Sequence, residues 1–220
     1  MKALGLIEVY SFTTALCVAD VAAKAADVRV IAFDRTRPGS ANVPAPLVML
    51  VKLEGNVAAV RAAVEAGVEC AKRDGKYIIS HVIANPGEGM DKMAYLLDIN
   101  KDKFNKKLPK TFLNVPEDQI AKPTVRKSIG FIEIDGLVAS IEGLDAMLKA
   151  ADVRLVHTEK RLGGRLVTII ISGEVSAVTA ATQAGVKAAA PIGKVIGSAV
   201  LANPHDEVTK FFDMETPNQK

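Results

Sequence analysis

Lys24-Ala25-Ala26-Asp27-Val28-Arg29 returns unchanged as Lys149-Ala150-Ala151-Asp152-Val153-Arg154, 125 positions later. A six-letter identity of this kind marks an internal duplication, and the chain reads by laying one half over the other. Upstream, Ala3-Leu4-Gly5-Leu6-Ile7-Glu8-Val9 matches Ser128-Ile129-Gly130-Phe131-Ile132-Glu133-Ile134 at the same offset. Both are apolar runs of strand length. Between strand and hexapeptide, Leu16, Ala19, Ala22, Ala23 and Ala26 line one helical face. Ile141, Leu144, Met147, Leu148 and Ala151 repeat it.

Second strands are predicted over Val28 to Phe33 and Val153 to His157. The copies then diverge. Asp34 to Pro46 is a Pro- and Gly-containing loop, answered by the shorter Glu159 to Arg165, and the offset falls from 125 to 118. Third strands follow, Leu47 to Leu53 and Leu166 to Ile171. Long helices open at Asn56-Val57 and Glu174-Val175. Val57, Val60, Val64, Gly67, Val68 and Ala71 form one face, answered by Val175, Val178, Thr182, Gly185, Val186 and Ala189. Asp74-Gly75 and Pro191-Ile192-Gly193 end these helices. Fourth strands, Tyr77 to Ala84 and Val195 to Ala202, run into Asn85-Pro86 and Asn203-Pro204, with short helices expected near Glu88–Leu97 and Asp206–Phe212. Each half is thus β-α-β-β-α-β, a split βαβ unit, and the fold class is α+β with two tandem ferredoxin-like domains. The expected division is 1–98 and 127–214 for the domains, 99–126 for a connector and 215–220 for a tail.

Composition narrows the function. The 220 residues carry a net charge of +3 and no Trp, with no polybasic tract interleaved with aromatics, which argues against nucleic acid as partner. No run of about 20 apolar residues could cross a membrane. The amino terminus lacks the signal-peptide pattern, so a cytosolic chain is expected. Cys17 and Cys70 stand far apart without zinc spacing, and both read as small core residues.

The succession of the Gly-x-Ile-Glu strand, the repeated hexapeptide, Leu166-Val167-Thr168-Ile169-Ile170-Ile171-Ser172-Gly173-Glu174-Val175 and Leu201-Ala202-Asn203-Pro204-His205 resembles the bacterial microcompartment shell-protein domain. Two copies in this order resemble the unpermuted tandem shell proteins. That resemblance implies a homotrimer mimicking a hexamer, located in a microcompartment shell in the cytoplasm. It further implies tiling with other shell proteins, possible enclosure of enzymes, and a central pore that passes small metabolites. Closed rings satisfy every head-to-tail interface, which fits six wedges from three chains.

Site residues follow from the same resemblance. Lys24 and Lys149 fall where the family places an edge lysine; helix-dipole complementation by a solvated Lys is the alternative. Asn85 and Asn203 stand where family members often carry an edge-docking Arg, whose planar fork Asn cannot supply. The axial loops would contribute Arg35, Thr36, Arg37, Pro38, Gly39 and Ser40 from the first half, and Arg161, Leu162, Gly163 and Gly164 from the second. With Lys160 and Arg165, the arginines outnumber Asp34 and Glu159, so a pore lined this way would favour anions. A solvated basic loop is the alternative. Neither loop contains Cys, so no iron–sulfur cluster, other metal or cofactor is expected.

As an enzyme the sequence offers no catalytic set. His81, His157 and His205 are scattered, and no nucleophile triad or phosphate-binding glycine loop stands out. His81 is expected to be a satisfied core histidine. Glu8 and Glu133 are expected to be paired, interface-stabilising carboxylates. The rival reading is a trimeric ferredoxin-like regulator that binds a small effector through the 35–46 loop.

Overall fold

The structure, a computed structural model, describes residues 2–39, 42–87, 90, 128–159 and 165–212. The first half contains β1 (Ala3–Tyr10), α1 (Phe12–Ala25), β2 (Val28–Thr36), β3 (Val48–Gly55), α2 (Val57–Arg73) and β4 (Tyr77–Ile83). The second repeats them as β5 (Ser128–Asp135), α3 (Leu137–Ala150), β6 (Val153–Glu159), β7 (Leu166–Gly173), α4 (Val175–Ala189) and β8 (Lys194–Leu201), followed by the short α5 (Asp206–Thr209). The sheets are antiparallel with orders β2-β3-β1-β4 and β6-β7-β5-β8. The split βαβ reading therefore holds in both halves: the third strand enters between the first and second. The expected short helix at 88–97, the connector and the tail lie outside the described residues.

Each sheet carries its two long helices on one face. Glycines set how closely they approach: a Cβ on Gly5 would lie 2.8 Å from Val64 and 2.9 Å from Val60, and one on Gly130 2.5 Å from Thr182. Helix packs on helix at Gly67 and Gly185, where a Cβ would lie 3.1 Å from Val18 and 2.5 Å from Met147 respectively. Asn56 caps α2 by accepting the Ala59 N–H at 2.8 Å. Gly75, at φ 66°, takes the left-handed turn that closes the helix, with its N–H donating to Lys72 O at 3.0 Å.

Several local expectations are corrected. Strand β2 runs on to Thr36, so Asp34 and Arg35 belong to the strand rather than the loop; the buried Asp34 carboxylate pairs with buried Lys52 on β3, which keeps the ladder going. His81 is exposed on the edge strand β4 and is not a core histidine. Val57 and Val175 sit exposed in the first turns of α2 and α4, ahead of the buried stripe.

Cys17 and Cys70 are half-buried and unpaired in any disulfide. Burial, with Cys70, Asp74 and Asp20 nearby, pushes the Cys17 thiol up to about 12. At pH 8 only on the order of one Cys17 in ten thousand is then thiolate. Iodoacetamide should label Cys17 of a Cys70→Ser chain at least a thousandfold more slowly folded than in urea. Because the unfolded thiol ionises first, this group's contribution to stability is intact below its ordinary value of 9.0 and fades as pH rises towards 12.

Candidate assembly interface and pore loop

The face of the second sheet opposite its own helices is where the halves meet. On β5 that open face carries Ile129, Phe131 and Glu133, and the first half covers it. Phe12, Leu16 and Phe33 from the first half join Phe131, Leu166, Ile170 and Ile196 from the second in one buried cluster. Glu133 is fully buried. Its Oε2 accepts the Ser11 hydroxyl at 2.5 Å and the Thr13 N–H at 3.1 Å, so a carboxylate from one half caps the amino end of α1 in the other. Negative charge is favoured at that helix end because the first-turn N–H groups lack partners along the helix. Ser11 is held at φ 78°, the one non-glycine residue in the left-handed region among those described. That conformation costs on the order of 1 kcal/mol, which the bond to Glu133 offsets.

Three further ties close the joint. Asp20, near the end of α1, is buried and accepts the His205 N–H at 2.7 Å while pairing with Lys24 at 2.6 Å. Glu207 of α5 accepts the Val30 N–H at 2.6 Å. Phe211 packs edge-on against Phe33, ring centroids 4.8 Å apart, and its neighbour Phe212 lies 6.3 Å from Phe131. The expected interface-stabilising carboxylate is therefore present at Glu133.

The corresponding surfaces of the other pairing lie open within the chain. Helix α3 exposes Leu137, Val138, Ile141 and Leu148. The duplication pairs these with Phe12, Thr13, Leu16 and Ala23, every one buried. The predicted apolar face of α3 is thus only partly buried: Ala139, Ser140, Gly143 and Met147 face inward, whereas Ile141 and Leu148 do not. On the first sheet, Glu8 stands where Glu133 does, beside an open concavity of about 420 Å³ lined by Glu8, Tyr10, Thr36, Arg37, Val48 and Ile78.

The predicted edge and loop residues fall as follows. Lys24 and Lys149 both end their helices on the surface and both hold the aspartate one turn back at 2.6 Å, Asp20 and Asp145. Hydrogen bonding to Asp145 raises the Lys149 ammonium above its ordinary value. Asn85 and Asn203 are exposed just past the fourth strands. Arg35 is half-buried in β2, Thr36 ends that strand, and Arg37, Pro38 and Gly39 follow it as exposed or half-buried loop. Arg165 lies 3.5 Å from Asp135, beside the start of α3. Ser40, Lys160, Arg161, Leu162, Gly163 and Gly164 lie outside the described residues. Sequence reasoning passed over Ser11, Asp20, Glu207 and the Phe211–Phe212 pair. For Asp20 a signal existed, an acid one turn before each repeated lysine.

Among the described residues no helix is long and apolar enough to cross a membrane, and no cluster of His, Cys, Asp and Glu could hold a metal ion.

The BMC domain family model matches residues 3–86 and 128–204. The carboxysome assembly protein CcmO of Synechococcus elongatus is 31% identical over 206 residues, covering 94% of this chain and 67% of that protein. The bacterial microcompartment shell protein PduA of Salmonella typhimurium is 47% identical over 86 residues, 39% of this chain and 90% of that protein. EutM of Escherichia coli, also a bacterial microcompartment shell protein, is 45% identical over 86 residues, 39% of this chain and 88% of its own length. A crystal structure of a microcompartments protein from Desulfitobacterium hafniense covers 96% of this chain and 99% of its own at 23% identity, with a TM-score of 0.37.

Proposed function

The chain belongs to the BMC-domain family of bacterial microcompartment shell proteins, and we propose that it serves as a homotrimeric wall tile, six domains ringed about a threefold axis with a pore at the centre. One observation carries the reading. The joint between the halves buries α1 against the second sheet, while in a single chain the duplicated helix α3 leaves Leu137, Val138, Ile141 and Leu148 exposed and the first sheet leaves Ile79 exposed and Glu8 beside an open concavity. A head-to-tail surface left open at both ends is satisfied when the chain closes a ring with copies of itself. Large apolar side chains on one such surface and a concavity beside an acidic group on the other fit that closure.

In this reading domains 1–98 and 127–214 are successive wedges, 99–126 a connector and 215–220 a tail. The tile sits in a microcompartment shell in the cytoplasm, beside other shell proteins and around enclosed enzymes, and performs no turnover itself. Lys24 and Lys149, with Asn85 and Asn203 nearby, supply the rim that meets neighbouring tiles. Residues 35–40 and 161–164 approach the axis, where threefold repetition of Arg37 and Arg161 multiplies positive charge and favours anionic metabolites.

Sedimentation of dilute protein should give the mass of three chains, and electron microscopy of concentrated protein should show sheets or tubes of six-sided tiles. A monomer at every concentration would overturn the reading. Discrete trimers with saturable binding of a small effector at the 35–46 loop would favour the regulator instead. Arg37→Glu with Arg161→Glu should reverse the preference for anions in a flux assay; an unchanged preference removes the selectivity claim and leaves the tile.

A further inference from the structure

We propose that Glu8 and Ile79 of one copy form a socket for the amino end of α3 of a second copy, and that an exchange of bulk between the two kinds of socket fixes which helix enters which. The inference rests on the trimer reading and adds the residues that encode its order.

The template is the joint inside the chain. There Glu133 faces Gly197 across the β5–β8 pair, and Glu8 faces Ile79 at the corresponding place in the β1–β4 pair. Gly197 leaves room for the incoming helix: a Cβ on it would lie 3.5 Å from Ser11 Oγ, 3.5 Å from Thr13 Cβ and 3.3 Å from Lys76 Nζ. An isoleucine side chain there would occupy the space of those groups. Ile79 is 58% exposed and has no such occupant within its own chain. The helix that the duplication assigns to it begins with Gly136 and Val138 in place of Ser11 and Thr13.

The pairs are therefore complementary. Where the socket has glycine, the helix brings serine and threonine; where the socket has isoleucine, the helix brings glycine and valine. The first combination is polar and the second apolar, at the same position in the fold. Crossing them fails twice over. Helix α1 in the Ile79 socket would drive Ser11 into the isoleucine, and α3 in the Gly197 socket would leave a gap and strip Glu133 of its hydroxyl donor.

Hydrogen bonding follows the same correspondence. Val138 N–H takes the place of Thr13 N–H and donates to Glu8 of the second copy. Helix α3 has no side-chain cap of its own, because Gly136 has no side chain to accept, so its first turn awaits an acceptor. Asp145, exposed and paired with Lys149, takes the place of Asp20 and accepts the Gly87 N–H of the neighbour. Two of the intrachain bonds have no counterpart: Ser11 is replaced by Gly136, and Glu207 by Gly89. The joint between copies is thus more apolar and the weaker of the two, so chains fold first and close the ring second.

Dilution of the full chain and of Glu8→Ala, Glu8→Gln and Ile79→Gly, followed by mass photometry and by amide exchange over residues 137–141, tests this. Glu8→Ala and Ile79→Gly should each lower trimer affinity about tenfold or more and speed exchange at Val138. Glu8→Gln should lie between, since its amide oxygen still accepts. Both residues lie outside the intrachain joint, so the dilute chains should keep their far-ultraviolet circular dichroism; should Glu8→Ala fail to fold, Ile79→Gly gives the answer alone. If the variants dilute and exchange like the parent trimer, the socket is wrong and the tile stands. If the parent is never a trimer, the tile itself is wrong.

Discussion

Glu133→Ala should destabilise the folded chain by roughly 3–6 kcal/mol, since hydrogen bonds to a charged group contribute about 1.5–3 kcal/mol each and two are lost. Ser11 Oγ and the Thr13 N–H would be stranded at a buried joint. Ser11 would also keep its φ of 78° with nothing to offset it. Glu133→Gln should cost less. Its amide oxygen still accepts from Ser11 and Thr13, though without the carboxylate's charge. Urea unfolding at a dilution that keeps chains apart measures both. The matched change Glu8→Ala should move the same midpoint by less than about 0.5 kcal/mol, the range of ordinary surface substitutions. Equal losses at positions 8 and 133 would contradict the account of the joint, because the two carboxylates would then have equivalent surroundings.

Ile141→Glu should yield a folded chain that no longer forms trimers. Ile141 is 57% exposed, and its counterpart Leu16 is fully buried. The same substitution at the two positions should have unlike outcomes. Leu16→Glu places a charge in the core shared by the halves and should prevent folding, the cost of an uncompensated buried charge being about 3–5 kcal/mol. Ile141→Glu meets that cost only on assembly, so affinity between copies should fall by roughly a hundred- to a thousandfold while the dilute chain unfolds as before. Sedimentation reads the first effect and urea denaturation the second. A trimer that survives Ile141→Glu would remove α3 from the interface.

Much of this was legible in the sequence because it is local or repeated. Strand and helix periods, the helix openings at Asn56-Val57 and Glu174-Val175 and the split βαβ order depend on neighbours a few residues apart, or on a pattern met twice. The repeated lysines, Lys24 and Lys149, could be found for the same reason. What misled was reading burial from the pattern alone. Ile141 and Leu148 continue a flawless helical stripe yet face solvent, and His81 sits in an apolar strand yet is exposed. An amphipathic period says that a face is to be covered, without saying whether its own chain or another supplies the cover.

The sequence by itself determined that there are two equivalent units, what each unit looks like, and which residues correspond. Tertiary structure decided which copy of each surface is buried. Asp20 and Asp145 belong to the same repeated helix end, yet their side chains are 3% and 52% exposed. The difference arises because a single chain has one joint and two pairs of surfaces that could form it: α1 meets the second sheet, and α3 does not meet the first.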